Sequence, residues 1–159
     1  MKKLLIVLMV LVFATRIGES TPSTNVPVTY QISALIEKYS KIYKIPKKYM
    51  YALIYQETRY MGPNQKHYKH NQVSSANALG PMQIKLSTAQ YMVDQHITRD
   101  ALLNDVETNI HTSFKIVRKL KNKYKSWVLA FGAYNTGRPI ANEYAQNIVN
   151  KRYKWVKKR

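Results

Sequence analysis

Only eight side chains can supply carboxylate chemistry in this chain of 159 residues: Glu19, Glu37, Glu57, Asp94, Asp100, Asp105, Glu107 and Glu143. Seven have ordinary surroundings. Glu19 adjoins an apolar N-terminal run, and Glu37 has Lys41 one helical turn away on an outer face. Asp105, Glu107 and Glu143 fall where helices should begin, facing the positive end of the helix dipole. Asp94 and Asp100 lie in polar stretches without pattern. Glu57 stands apart. It completes the spacing Met50, Leu53, Ile54, Glu57, and so projects from the apolar face of a helix. Arg59, two residues on, points elsewhere and makes a poor partner. A carboxyl group buried without a cation holds its proton to higher pH, because desolvation penalises the charged form. Such a group can act as a general acid toward a leaving oxygen.

Other chemistries find less support. The absence of Cys excludes disulfides, thiolate metal sites and cysteine nucleophiles. His67 and His70 have a metal-ligand spacing but lie in a loop without a third ligand, so no metal is expected. His111 and Ser113 have neither an elbow motif nor a third triad member. No phosphate-binding loop or dinucleotide fingerprint occurs.

The elements that must hold Glu57 are helical. Ile32, Leu35, Ile36, Tyr39 and Tyr43 recur at helical spacing, and Pro46 suits the start of a second helix. That second helix carries Met50, Leu53, Ile54 and Met61 inward and stops at Gly62-Pro63. Residues 64–80 show no period and read as a long, functional loop. Ser87 and Gln90 resemble a capping box for a short helix to about Gln95. Asp105 and Glu107 open a longer helix with Ile110, Phe114, Val117 and Tyr124 inside. Ser126 caps an apolar segment, Trp127 to Tyr134, and Asn135 to Pro139 form a turn. A last helix carries Tyr144 and Ile148 inward, with Trp155 a further candidate. The expectation is a mostly α globule of about six helices with one long loop and little β structure.

Charge and export signals set the setting. Lys and Arg number 26 against 8 acidic residues, a formal net charge of +18. Lys2 and Lys3 precede eleven apolar residues, Leu4 to Ala14. That run is too short to span a bilayer and fits a secretory signal. Cleavage after Ala14 and cleavage after Ser20 both suit the pattern. Loss of residues 1–20 removes Lys2, Lys3, Arg16 and Glu19, a net +2, and leaves +16. Residues 21–30 read as a flexible leader, 31–150 as the globular domain and 151–159 as a basic tail in which six of nine residues are Lys or Arg. An exported cation of this strength expects anionic envelope polymers or membrane surface as partners, the tail being the candidate contact, and no specific nucleic acid.

Four blocks in order carry a family resemblance, covering about Tyr49 to Val149. They are Ala52 to Tyr60, Ser74 to Ile84, Leu103 to Ile110, and Ala130 to Gly137, the last containing Ala133-Tyr134-Asn135. Together they resemble the soluble lytic transglycosylase (SLT) catalytic domain, a relative of goose-type lysozyme. The resemblance implies a lysozyme-like fold with the catalytic acid at Glu57 and glycan contacts from Met82 and Gln83. It implies further that Tyr134 hydrogen-bonds the catalytic carboxyl group, that Ser74 matches the serine of the second block, that Asn135 shapes the turn, and that all three belong with Met82 and Gln83 to the substrate-binding set. The plain alternatives are Met82 as core and Tyr134 as the cap of a buried helix. Thr58 stands where the family has serine, Asn77 and Pro81 where it has glycine and leucine, and Ser113 where it has a helix glycine. Pro81 removes a backbone donor beside Gln83.

The implied activity is cleavage of the MurNAc-GlcNAc β-1,4 bond of peptidoglycan with formation of 1,6-anhydromuramoyl ends, without a cofactor. The implied setting is the periplasm or cell envelope, serving wall remodelling or penetration by a secretion apparatus, a conjugation system or a phage. The rivals are a muramidase that uses water and a non-catalytic cationic envelope-binding protein.

Overall fold

In the computed structural model, residues 26–150 are described; the segment expected to be an export signal and the basic tail, Trp155 included, fall outside them. Seven helices and one small hairpin make up the described chain: α1 Val28–Tyr43, α2 Lys47–Thr58, β1 Ala78–Leu79, β2 Ile84–Lys85, α3 Leu86–Met92, α4 Arg99–Asn104, α5 Val106–Tyr124, α6 Trp127–Thr136 and α7 Glu143–Asn150. The fold class is as expected, mostly α with little β structure. The helix absent from the sequence reading is α4, six residues long and capped by the Thr98 hydroxyl, which accepts from Ala101 N. Its brevity leaves no apolar period to read.

The long helix α5 is the spine. It packs against α1 on one side and α6 on another, while α6 lies on α7 and α2 sits between α1 and α7. The Asp105 carboxylate caps α5 by accepting from the amides of Glu107 and Thr108, at 2.9 and 3.3 Å. Ser126 caps α6 through Leu129 N. The core runs through Ile32, Ile36, Met50, Leu53, Ile54, Ile110, Phe114, Val117 and Phe131.

Helix α2 differs from a one-sided amphipathic helix. Six consecutive residues, Tyr49 to Ile54, are buried, so neighbours enclose the middle of the helix on all sides. It ends at Thr58, four residues before the expected stop. Arg59 takes the left-handed cap conformation at φ 58°, and its amide donates to the Tyr55 carbonyl. Met61 therefore leaves the buried stripe and is 51% exposed. Two further expectations are corrected. Glu37 pairs with Lys47 at 2.9 Å, not with Lys41, because the start of α2 folds back beside α1. Ser87 does not cap α3: β2 runs straight into the helix, Lys85 holds the cap position, and Gln90 donates to the Ile97 carbonyl instead. The turn placed at Asn135 to Pro139 begins later, since Asn135 and Thr136 still belong to α6 and Gly137 is its cap at φ 76°.

Candidate active site

Glu57 lies in the last turn of α2, half-buried, with α7 packed across it. The Tyr144 hydroxyl, from the first turn of α7, donates to Glu57 Oε1. No cation answers the carboxyl group: the ion pairs among the described residues are Lys38–Glu107 and Lys47–Glu37. The Arg59 guanidinium lies over the Tyr55 ring at 5.1 Å. Burial pushes the Glu57 pKa from its ordinary 4.5 up to about 7, and the Tyr144 hydrogen bond offsets part of that rise. A carboxyl group poised there can both give and take a proton near neutrality. The neighbouring phenols respond in the same sense. Burial and then the Glu57 charge raise Tyr134 and Tyr144 well above the ordinary tyrosine value, so both remain neutral donors.

The expected bond from Tyr134 to the catalytic carboxyl group is not formed. The Tyr134 hydroxyl donates instead to the Met82 carbonyl at 2.8 Å. Tyr144 fills the assigned role, because α7 rather than α6 delivers a hydroxyl to the end of α2. Sequence reasoning took Tyr144 for a core residue, since its spacing with Ile148 is that of any apolar stripe. Nothing local links it to a glutamate 87 positions earlier. The contact depends on Gly132 in α6, where an added Cβ would lie 1.8 Å from the Ile140 carbonyl oxygen. That missing side chain lets the 137–142 segment cross α6 closely before α7 begins.

The turn between β1 and β2 holds the other motif residues, and three helices grip it. Thr58 Oγ1, at the end of α2, lies 2.9 Å from the Pro81 carbonyl and 2.7 Å from the Tyr68 hydroxyl. The Ile54 carbonyl lies 3.2 Å from the same atom, so the one Thr58 proton goes to the nearer Pro81 carbonyl while the oxygen accepts from Tyr68. Asn109 of α5 is fully buried, donates to the carbonyls of Leu79 and Leu102 at 2.9 and 2.8 Å, and accepts from Met82 N at 2.9 Å. Tyr134 of α6 takes the Met82 carbonyl. Asn109 was legible only as part of a motif block; its grip on the turn was not.

The sequence-selected residues separate accordingly. The Met82 side chain is fully buried and its amide and carbonyl are taken by Asn109 and Tyr134, so Met82 is core and not the expected glycan contact. Gln83 sits at φ 48° and folds its amide back to donate to the Gly80 and Gln72 carbonyls, at 2.9 and 3.3 Å. Ser74 lies at the hairpin's base, its hydroxyl accepting from Ala78 N at 3.1 Å. Asn135 is exposed at the end of α6, near the turn it was expected to shape. An open cleft of about 420 Å³ starts at Thr58 and is lined by Gln65, His67, Tyr68, Lys69 and Gln72. His67 faces this cleft, whereas His70 lines a second cavity beside α1, so the two histidines serve different surfaces. His111 stacks on Tyr39 at 4.3 Å, with its Nε2 2.7 Å from the Tyr43 hydroxyl; the Ser113 hydroxyl donates to the Ile110 carbonyl.

Comparison with known proteins agrees with the fold class. A comparison with curated proteins finds no match. Among solved structures, the fold is similar to that of an inactive mutant of the lytic transglycosylase Slt from Pseudomonas aeruginosa, with a TM-score of 0.53 and 19% identity. The likeness covers 70% of this chain and 17% of that one, so this chain spans a small part of that protein's length. The family described as the transglycosylase SLT domain matches residues 34–156, which include Glu57, the gripped turn, Asn109 and Tyr144. With most of its length inside that match, the chain belongs to the transglycosylase SLT domain family.

Proposed function

We propose that this protein is an exported peptidoglycan lytic transglycosylase, cleaving the MurNAc-GlcNAc β-1,4 bond and leaving 1,6-anhydromuramoyl ends. The observation that carries the reading is a half-buried Glu57 with no cation partner, a pKa of about 7 and a tyrosine donor on one oxygen. Protonated Glu57 gives its proton to the glycosidic oxygen as the bond to the anomeric carbon breaks. The resulting carboxylate accepts the proton of the muramoyl C6 hydroxyl, whose oxygen closes on the anomeric carbon. Glu57 ends protonated, and no water is consumed. Tyr144 stabilises the carboxylate between the two transfers.

Glycosidases of the commoner kind need a second carboxylate as base or nucleophile. Here the other described carboxylates are committed elsewhere. Glu37 and Glu107 hold lysines, Asp105 caps α5, Asp100 accepts from Asn104, Asp94 accepts from His96 N, and the exposed Glu143 accepts from Asn147 at 3.5 Å. That favours a nucleophile supplied by the sugar. The export signal at residues 1–20 supports action in the periplasm or envelope, and the basic tail at 151–159 supports attachment to anionic polymers there. Local opening of the wall for a secretion apparatus, conjugation system or phage is the role we assign.

The test is mass spectrometry of glycans released from sacculi. Anhydro ends support the proposal; reducing ends identify a muramidase. Glu57→Gln should lose about two to four orders of magnitude in rate, the range for a general acid. The comparison structure is itself an inactive mutant with glutamine in place of a glutamate. Asp105→Asn should leave the chemistry intact, and full activity in Glu57→Gln would refute the assignment.

A further inference from the structure

One end of the molecule gathers cations in excess of counter-charges. Residues 41–48 and 115–125 contain ten Lys and Arg and no Asp or Glu. The two windows adjoin: the Arg118 guanidinium donates to the carbonyls of Tyr43 and Lys44, and the Tyr49 and Trp127 rings lie 5.2 Å apart. Lys47 is taken by Glu37, but Lys41, Lys44, Lys48, Lys123 and Lys125 are exposed.

Helix electrostatics explain only part of this cluster. Helices α1 and α5 both end here, and cations suit a helix C-terminus. Lys48, however, occupies the first turn of α2, where the dipole disfavours a cation and no acidic residue is present. Lys44 and Lys125 hold the left-handed caps of α1 and α5, at φ 50° and 57°, where glycine or asparagine is the easier choice. Charge is thus kept at three positions against local preference. Between Lys41 and Lys44, Ile42 is 60% exposed. Lys48 and Glu57 lie nine residues apart on α2, which separates this end from the acid by about 14 Å.

We propose that this end is a docking surface for an anionic phospholipid bilayer. A bilayer takes both features at once: its headgroups meet the ammonium groups, and its interface receives Ile42 and the lysine stems. A soluble polyanion would meet the charges and leave Ile42 in water. Nine of the ten cations are Lys, and the one Arg is turned to backbone carbonyls. That composition suits a diffuse layer of headgroups rather than bidentate capture of a defined phosphate. Docked this way, the enzyme holds Glu57 at the far end of α2, directed away from the membrane.

Vesicle flotation of the full chain tests this, comparing phosphatidylcholine vesicles with ones containing about one-third phosphatidylglycerol. The basic residues of the tail are replaced by Gln in every arm, and the readout is the gain on adding phosphatidylglycerol, because an apolar N-terminal segment binds both vesicles alike. Combining Lys44→Asn, Lys48→Gln, Lys123→Gln and Lys125→Asn should reduce that gain by about several hundredfold, at roughly fivefold per lysine. Asn is used at the caps because it tolerates their conformation. Cleavage of short soluble glycans should not change. Ile42→Ser should weaken vesicle binding several-fold and leave binding to soluble polyphosphate unaltered. A phosphatidylglycerol gain that is absent, or unchanged in the fourfold variant, overturns the proposal. An Ile42→Ser variant that binds vesicles like its parent would show a polymer-binding surface and overturn it equally.

Discussion

Glu57→Gln should stabilise the folded protein at slightly alkaline pH while removing its activity. The Glu57 pKa rises from 4.5 in the unfolded chain to about 7 when folded. The folded state therefore binds this proton more tightly. Its contribution to stability is full below about pH 4.5 and is lost as pH rises through 7. A difference of about 2.5 units corresponds to roughly 3 kcal/mol. Glu57 is only half-buried, and glutamine still accepts from Tyr144, so a net gain of about 2 kcal/mol is expected at pH 8. Urea unfolding of both proteins across this range measures it. The variant should match wild type near about pH 4.5, pull ahead between there and neutrality, and run parallel above. Other carboxylates cancel in the comparison. Glu107, for instance, is held below its ordinary value by hydrogen bonds from Lys38 and Tyr39, and titrates alike in both proteins. Curves that stay parallel from acid to alkaline pH would refute the claim that Glu57 is desolvated.

Tyr144→Phe removes the donor that favours the carboxylate, so the Glu57 pKa should climb further above about 7 in an NMR titration; an unchanged or lower value contradicts the assigned contact. Tyr134→Phe should instead cost about 1 kcal/mol through the orphaned Met82 carbonyl and leave the Glu57 titration nearly in place. Asn109→Leu leaves Met82 N and two carbonyls without their partner, and should cost roughly 3 kcal/mol or more by denaturant unfolding.

Glu57 was legible because its position depends on one helix and a short-range apolar pattern. That pattern survives although α2 proves to be enclosed on all sides from Tyr49 to Ile54 rather than one-sided. Its phenolic partner was not legible. Tyr144 reaches Glu57 only because α7 crosses α2, and that crossing depends on Gly132 admitting the Ile140 carbonyl. The same logic explains the helix ends. Asp105 and Ser126 cap helices through neighbours two or three residues away, and both were readable. The stop at Thr58 comes from a left-handed Arg59, a residue with no turn preference to announce it. Ser87 shows the opposite failure, a correct capping pattern overridden by a strand running into the helix.

The departures from the family pattern make sense once the gripped turn is seen as one hydrogen-bonded unit. Backbone groups enclosed in the turn need partners, and α2, α5 and α6 supply them through Thr58, Asn109 and Tyr134. Thr58 in place of serine keeps the hydroxyl that meets the Pro81 carbonyl. Pro81 in place of leucine loses an amide, but the contact at that residue is made by its carbonyl, and the amide that Asn109 accepts belongs to Met82. Asn77 in place of glycine sits at φ 57°, a conformation asparagine tolerates better than most side chains. Ser113 is buried in α5, yet its hydroxyl is satisfied by the Ile110 carbonyl one turn back. Three of the substitutions preserve a donor, an acceptor or a backbone conformation, and the hydroxyl that Ser113 adds finds its own partner. What the separated motif blocks hold in common is therefore the bonding of a single turn beside Glu57. Gly80 is the position with least freedom there: at φ 70°, an added Cβ would lie 2.4 Å from the Asn109 amide nitrogen and 2.5 Å from the Leu102 carbonyl oxygen, breaking the grip at its centre.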